Sequence, residues 1–339
     1  MAIDYPWTEP PAHGTAIEAA PGVAWLRMPL PFQLNHINLW LLEDGPGWAI
    51  VDTGVGLPDV RALWEQVFAG ALGGRPVTQV IVTHFHPDHM GNTGWLTERF
   101  GVDLWCPQAE FLISQVAHRM GELGEHHRRM EHYRRNGCTE EQLIALAGRG
   151  DHYIRLVPTL PPTFRLVADG DTLTIGGRRW TMIVGHGHSP EHAAFWCPEA
   201  GVLISGDQVL PKITSNVSVW PDQPRGNPLK RYLASLEHFR DIAADALILP
   251  AHGLPFRGLP ERLVEVRTHH DARLANALDA ITEARSAAEI VPVLFRRKLD
   301  SHQLSFALGE ALAHLHYLEA EGRAIRIVGA DGVYRFRKA

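Results

Sequence analysis

The stretch at residues 79–91 reads QVIVTHFHPDHMG and joins an apolar run to a cluster of side chains that can bind metal. Alternate side chains of an extended chain point the same way, so His84 and His86 can bind one ion from one side. The proline that follows removes a backbone donor and ends the strand. Asp88 and His89 then lie on the next turn, where they can reach a second ion. The spacing predicts the first half of a two-metal site.

The composition is ordinary for a globular protein, apart from its 20 histidines. The net charge of −6 argues against a general nucleic-acid or anionic-membrane surface. The 3 cysteines form no zinc or disulfide pattern, which favours a reducing compartment. The N-terminus lacks a signal-peptide pattern, and no apolar run is long enough to span a bilayer. The sequence therefore predicts a cytoplasmic protein.

Two segments differ from the rest of the chain. Residues 108–165 have helical spacing and many arginines, so we expect a helical insertion that shapes a substrate pocket. The histidines of this segment are His118, His126, His127 and His132. Residues 259–339 predict three helices and a hairpin, which indicates a winged-helix-like domain for packing or for forming a homodimer. Residues 1–258, which include the insertion, otherwise alternate between strand-like and helix-like runs and predict an α/β catalytic domain.

Three later strand-like runs also end in a residue that can bind metal, beside Gly or Pro. These residues are His188, Asp207 and His252. Strand ends that meet at one edge of a sheet are where α/β proteins place their sites. The set contains imidazoles and carboxylates but no thiolate, which suits two zinc ions; iron or manganese can use the same ligands.

The predicted ligands divide between two ions. The first ion takes His84, His86 and His188. The second ion takes Asp88, His89 and His252. Asp207 can bridge the two with one oxygen on each. Two nearby divalent ions lower the pKa of a bridging water, so that it becomes hydroxide at neutral pH.

These motifs closely resemble those of the metallo-β-lactamase superfamily. The resemblance rests on HFHPDH at residues 84–89, Gly187-His188, Ser205-Gly206-Asp207, Ala251-His252-Gly253 and the early Asp52-Thr53-Gly54. It covers about residues 20–258 and implies a four-layered αβ/βα sandwich, with the metals at one edge between two sheets. The C-terminal segment resembles, in shape and position, the winged-helix extension of one branch of the superfamily.

Two positions distinguish the chain from particular branches of this superfamily. Asp207 stands where some zinc lactamases carry a cysteine ligand, and His86 stands where the flavodiiron proteins carry glutamate. The glyoxalase II type shares the whole ligand set, so the resemblance implies a hydrolase and not a di-iron oxygen-reducing site.

The third ligand of the first ion has two candidates, His186 and His188. His188 is preferred because the Ser-Pro-Glu-His that follows it is similar to the Thr-Pro-Gly-His that follows the ligand in relatives. His192 then supports the ligands or the fold.

Three further residues are candidates for roles around the ligands or in binding the substrate. Asp52 and Thr83 are candidates for holding metal-bound imidazoles from behind, since the second ring nitrogen of such a ring needs a partner. Asp52 can equally bond its own backbone in a turn. Lys212 either meets an anionic part of the substrate or stays solvated.

The predicted reaction is hydrolysis of an ester or thioester in a small-molecule substrate, with metal-bound hydroxide attacking the carbonyl carbon. Asp88 is both a ligand and the catalytic residue that orients the hydroxide and takes its proton. One alternative is a nuclease or phosphodiesterase, which the negative charge and the lack of a basic recognition helix disfavour. Another is a metal-holding protein without catalysis.

Overall fold

The computed structural model describes residues 3–123, 127–148 and 152–339, and these residues fall into two units. Unit 1 contains the described residues up to Leu123, together with His152–Ser215 and His238–Leu263. Unit 2 contains residues 127–148, Asn216–Glu237 and Val264–Ala339. Unit 2 is therefore discontinuous in sequence, a grouping that the sequence does not predict. The boundary near residue 258 stays a prediction.

The first sheet of unit 1 starts as an antiparallel meander and continues as parallel strands. In spatial order its strands are β1 (Ala16–Ala20), β2 (Val23–Pro29), β3 (His36–Asp44), β4 (Gly47–Val51), β5 (Val77–Ile81), β6 (Leu104–Cys106) and β7 (Arg165–Leu166). Short glycine-containing turns join β1 to β2 and β3 to β4. From β4 onwards the pairing is parallel, which requires crossovers such as helix α1 (Pro58–Ala69).

The second sheet of unit 1 has the strand order β12-β11-β10-β9-β8. These strands are β8 (Thr172–Ile175), β9 (Arg178–Gly185), β10 (His192–Cys197), β11 (Val202–Gly206) and β12 (Leu247–Pro250). Their neighbours pair antiparallel except for β11 and β12, which run parallel. Parallel pairing brings the carboxyl ends of β11 and β12 to the same edge.

Large apolar side chains fill the space between the two sheets. Trp25 and Trp40 of the first sheet belong to the same buried cluster as Trp180 and Phe195 of the second. A second cluster, which contains Trp64, covers the outer face of the first sheet. Burial of this apolar area is the main favourable term that holds the layers together. The α/β sandwich of two packed sheets predicted from the sequence is confirmed.

The other described helices are distributed over both units. They are α2 (Pro87–Met90), α3 (Thr93–Phe100), α4 (Gln108–Leu123), α5 (His127–Arg135), α6 (Glu140–Ala147), α7 (His152–Leu156), α8 (Pro228–Ser235), α9 (Leu259–Ala280), α10 (Ala287–Leu294) and α11 (Ser301–Ala320). Helices α4 to α7 occupy the predicted insertion, of which His126 lies outside the described residues. Within the part of the chain that the structure describes, no helix has both the length and the apolar composition needed to cross a bilayer.

The C-terminal region is helical, as predicted, and ends in the hairpin of β13 (Ala324–Val328) and β14 (Tyr334–Lys338). The winged-helix comparison stays a prediction. Buried residues lie on every side of helix α11. It contacts α6, α8, α10 and β13, so it is the central helix of unit 2.

Glu310 is a charged side chain inside this helix. It is buried, and the side-chain amide of Asn216 lies 3.5 Å from its carboxylate. Burial raises the pKa of Glu310 to about 7, against the opposing charge of Arg273. The folded state therefore favours the neutral carboxyl.

We expect the free energy of unfolding to depend on pH through the ionisation of Glu310. The stability that the raised pKa contributes is present below the unfolded value of 4.5 and is lost as pH rises through about 7. Glu310→Gln should therefore match the wild type near pH 4.5 and exceed its free energy of unfolding by about 3 kcal/mol at pH 8. Thermal denaturation of chelator-treated protein across this range measures the difference. Parallel pH profiles would contradict the prediction, and the exposed Glu141→Gln serves as the control.

Candidate metal centre

The predicted ligands come together at one edge of the sandwich in unit 1. Each follows the carboxyl end of a strand, where a glycine, a proline or a polar turn stops the ladder. The loop after β5 and helix α2 supply His84, His86, Asp88 and His89. The loops after β9, β11 and β12 supply His188, Asp207 and His252. The structure groups all of these residues into two sets of potential metal donors.

The first cluster contains His84, His86, His188 and Asp207. Nε2 of His84 lies 2.9 Å from Nδ1 of His86 and 3.1 Å from Nε2 of His188. Nε2 of His188 lies 3.3 Å from Oδ2 of Asp207. One donor atom from each residue lies within 4.8 Å of all the others. This is the spacing of donors around a single ion.

The second cluster contains Asp88, His89 and His252, and Asp207 adjoins it. Nε2 of His252 lies 3.4 Å from Oδ2 of Asp88 and 3.4 Å from Oδ1 of Asp207. Nε2 of His89 lies 3.7 Å from Oδ2 of both carboxylates. Asp207 therefore faces both clusters, as the predicted bridging role requires.

Two buried atoms show that the site suits a cation. Among the described residues, Nε2 of His89 and Oδ1 of Asp207 have no hydrogen-bond partner although both are buried. A buried polar atom without a partner is costly, and both atoms face the space between the clusters. A divalent ion coordinated there would satisfy both of them. The donors are imidazoles and carboxylates, which are ligands of zinc and similar ions.

The electrostatics of the site agree with this interpretation. Burial, together with the neighbouring His89, His86 and His188, holds the pKa of His84 well below its ordinary value. Its imidazole is therefore neutral, which is the form that binds metal. Burial also acts to lower the pKa of His252, but the carboxylates of Asp207 and Asp88 outweigh it and raise the pKa to about 10. Negative charge that holds a proton on a ring also attracts a cation.

Asp52 and Thr83 lie directly behind two of the histidines. The Asp52 carboxylate accepts from the backbone N–H of Thr83 at 2.8 Å and from its hydroxyl at 2.9 Å. The same carboxylate accepts from Nδ1 of His89 at 2.8 Å, which turns Nε2 of this ring towards the second cluster. Oγ1 of Thr83 lies 3.0 Å from Nδ1 of His84. These contacts fix the orientation of both rings.

His192, His186 and Lys212 lie outside the two clusters. Nε2 of His192 accepts from the backbone N–H of Asp207 at 3.0 Å, so this ring positions the loop that carries Asp207. Nδ1 of His186 donates to the carbonyl of Pro190 at 2.6 Å, and it is His188 that joins the first cluster. The ammonium of Lys212 lies 5.4 Å from the ring centre of Tyr5.

Glu110, at the start of α4, is a residue that the sequence does not identify. It is buried, and its carboxylate accepts from the backbone N–H of Phe85, the hydroxyl of Ser189 and the backbone N–H of Glu191. Burial raises its pKa to about 7, against these three hydrogen bonds. A single glutamate near the start of a helix carries no sequence signal for such a role.

His36 and Asn38, on β3, support the His252 loop and were also missed. Nδ1 of His252 donates to the carbonyl of His36 at 2.8 Å. The side-chain amide of Asn38 donates to the carbonyls of Pro250 and Gly253, each at 2.9 Å. These contacts join residues more than 200 positions apart, so no local pattern could have revealed them.

Comparison with known proteins agrees with this geometry. The family model of the metallo-β-lactamase superfamily matches residues 33–252. The chain belongs to this superfamily. A second family model, of a metallo-β-lactamase-like C-terminal domain, matches residues 274–339.

Two solved structures are similar to this member of the superfamily over almost its whole length. One is a β-lactamase domain protein from Burkholderia ambifaria, with 46% identity, a TM-score of 0.91 and coverage of 99% of this chain and 97% of the other. The second is a metallo-β-lactamase family protein from Thermus thermophilus, with 31% identity, a TM-score of 0.78 and coverage of 95% and 100%. The superfamily membership and the His/Asp clusters together identify a site for divalent metal.

Curated relatives are more distant. The lactamase-like protein nscB of Aspergillus fumigatus is 24% identical over 77% of this chain, and the match spans only 61% of that protein's length. A probable metallo-hydrolase of Bacillus subtilis, YqjP, is 23% identical, with 87% of this chain and 92% of the relative covered. An atrochrysone carboxyl ACP thioesterase of Aspergillus fumigatus is 23% identical, with 68% and 41% covered.

We expect Asp52→Asn to weaken metal binding. The amide presents a donor where the carboxylate accepts from the donors of Thr83 and His89, so the His89 ring loses its fixed orientation. Loss of such an outer contact costs about 10–100-fold in metal affinity. Competition with a chromophoric chelator measures this loss. The exposed Asp241→Asn is the matched control, and equal affinities in the two variants would contradict the role of Asp52.

Proposed function

We propose that this chain is a metal-dependent hydrolase with a dinuclear zinc centre that cleaves an ester or thioester bond in a small-molecule substrate. The observation that carries the proposal is the pair of adjacent His/Asp clusters that share Asp207. Paired sites of this kind serve hydrolytic displacement, because the attacking and the leaving group can be stabilised at once.

The ligands proposed for the first ion are His84, His86 and His188. Those proposed for the second are Asp88, His89 and His252, and Asp207 would be a ligand of both. When bound, divalent ions supply a water of lowered pKa and an electrophile for the carbonyl oxygen. Zinc is favoured by nitrogen and oxygen donors in the absence of thiolate, and elemental analysis distinguishes it from iron or manganese.

Asp88 is proposed to orient the attacking water and to take its proton. Burial opposes ionisation of this carboxyl, but the charge of His89 and the hydrogen bond from His252 outweigh it and hold the pKa below its ordinary value. The carboxylate is therefore ionised at neutral pH and accepts hydrogen bonds. His252 lies 3.4 Å from Oδ2 of Asp88, which fixes the direction in which the carboxylate faces.

Two observations support acyl chemistry over phosphodiester chemistry. One relative is named as an atrochrysone carboxyl ACP thioesterase. The net charge of −6 also disfavours a polyanionic substrate. Acyl chemistry agrees with both observations.

A substrate panel tests the proposed function. Zinc-loaded protein is assayed with acyl-CoA thioesters, aryl esters, lactones, S-lactoylglutathione, a β-lactam and bis-p-nitrophenyl phosphate. We expect turnover of a thioester or ester that disappears on chelation and returns with zinc. Hydrolysis of the phosphodiester without hydrolysis of any acyl substrate would overturn the proposal.

Asp207→Ala tests the shared ligand. Its loss removes a donor from both clusters, so we expect zinc content to fall below two ions per chain and turnover to fall by about 100-fold or more. Elemental analysis and the acyl assay measure these effects, with Asp241→Asn as the control. A variant that stays active with two zinc ions bound would contradict the assignment of Asp207.

A further inference from the structure

The peptide groups between His84 and His86 are held from both sides by other elements. The backbone N–H of Phe85 donates to Oε2 of Glu110 at 2.9 Å. The carbonyl of Phe85 accepts from the hydroxyl of Tyr153, on α7, at 2.8 Å. The residue between two potential ligands therefore has both backbone polar groups fixed by side chains.

The other oxygen of Glu110 holds the loop that carries His188. Oε1 accepts from the hydroxyl of Ser189 at 2.8 Å and from the backbone N–H of Glu191 at 2.6 Å. The Glu191 carboxylate in turn accepts from the backbone N–H of Ala109 at 2.9 Å. The start of α4 and the His188 loop therefore bind each other reciprocally.

We propose that Glu110 is a positioning residue for the first metal cluster. One buried carboxylate joins the loop of His84 and His86 to the loop of His188, so it sets the spacing of all three imidazoles and the affinity of that cluster. The second cluster is held by different groups, with Asp52 behind His89 and the carbonyl of His36 behind His252.

The physical reason is the narrow tolerance of metal bonds. Distances from ligand atoms to a metal ion must lie within about 0.2 Å of their normal values. A small shift of one loop relative to the other therefore lowers the metal affinity of the cluster before the fold is lost. The two oxygens of Glu110 accept three hydrogen bonds from two loops, which suits this buried side chain for fixing their spacing. The inference rests on the ligand assignment of the proposed function but not on its substrate.

Glu110→Gln is the informative variant because the two side chains have the same shape. The amide oxygen can still accept from Ser189 and Glu191, but the amide nitrogen then faces the N–H of Phe85. Two donors face each other at that position, so the Phe85 peptide loses its anchor. The exposed Glu98→Gln, on α3, is the matched control.

Two ligand variants allow the affinity of each cluster to be measured separately. The apo form of the whole chain is titrated with zinc in competition with a chromophoric chelator. In His252→Ala the remaining tight site is the first cluster, and we expect Glu110→Gln to weaken it by about 10–100-fold. In His86→Ala the remaining tight site is the second cluster, and the same change should leave its Kd unaltered. Cobalt substitution gives an independent readout, because the visible spectrum of the first cluster should change in Glu110→Gln.

Equal affinities with and without Glu110→Gln in the His252→Ala background would overturn the proposal, and so would an equal loss in both backgrounds. If Glu110→Gln fails to fold, as judged by circular dichroism, Ser189→Ala decides the question. It removes one contact of the carboxylate and should weaken the first cluster alone; unchanged affinity would overturn the proposal. A wild type that binds two zinc ions without hydrolysing acyl substrates would contradict the proposed substrate but not this role.

Discussion

The buried carboxylate of Asp52 is the contact on which the geometry of the site depends most. Among the described residues, Asp52 is the only one other than glycine with a positive φ, at 63°. That conformation costs about 1–2 kcal/mol for a residue with a Cβ. The hydrogen bonds from Thr83 and His89 offset this cost and connect the end of β4 to the loop after β5. A ligand loop and a strand end are thus fixed by one side chain.

The other loops that carry proposed ligands are also fixed by buried side chains from neighbouring elements. Asn38 and His36 on β3 hold the loop of His252, and Glu110 on α4 holds the loops around Phe85 and Ser189. None of these supporting groups belongs to the loop that it fixes. A loop at a sheet edge has few backbone partners of its own, so buried side chains from neighbouring elements replace the missing ladder. The relative positions of the proposed ligands therefore depend on several elements of the sandwich and not on the loops alone.

The difference between the ligand loops and the side chains that support them explains which residues could be identified from the sequence. The proposed ligands were identifiable from the sequence because each follows an apolar run and stands beside Gly, Pro or another candidate ligand, which are local signals. The supporting residues were not, because Glu110 lies 25 residues from Phe85 and 79 from Ser189. Asp52 and Thr83 became candidates through the general need of imidazole for a second partner, and Asp52 also through the motif Asp52-Thr53-Gly54. The central position of α11 in unit 2 was not predicted either, because the sequence does not show that Glu310 and His314 are buried.

Helix α4 carries both a support of the proposed metal centre and an exposed apolar face. The sequence predicts a pocket-shaping role for the whole segment that contains this helix, yet its first turn carries Glu110 and is bound to the His188 loop. Further along, Leu112 and Val116 are 50% and 59% exposed. Neither side chain takes part in the hydrogen bonds of Glu110. Substitutions on this exposed face can therefore alter the surface of the helix while the spacing of the imidazoles stays fixed, because the carboxylate that sets the spacing is buried at the start of the helix.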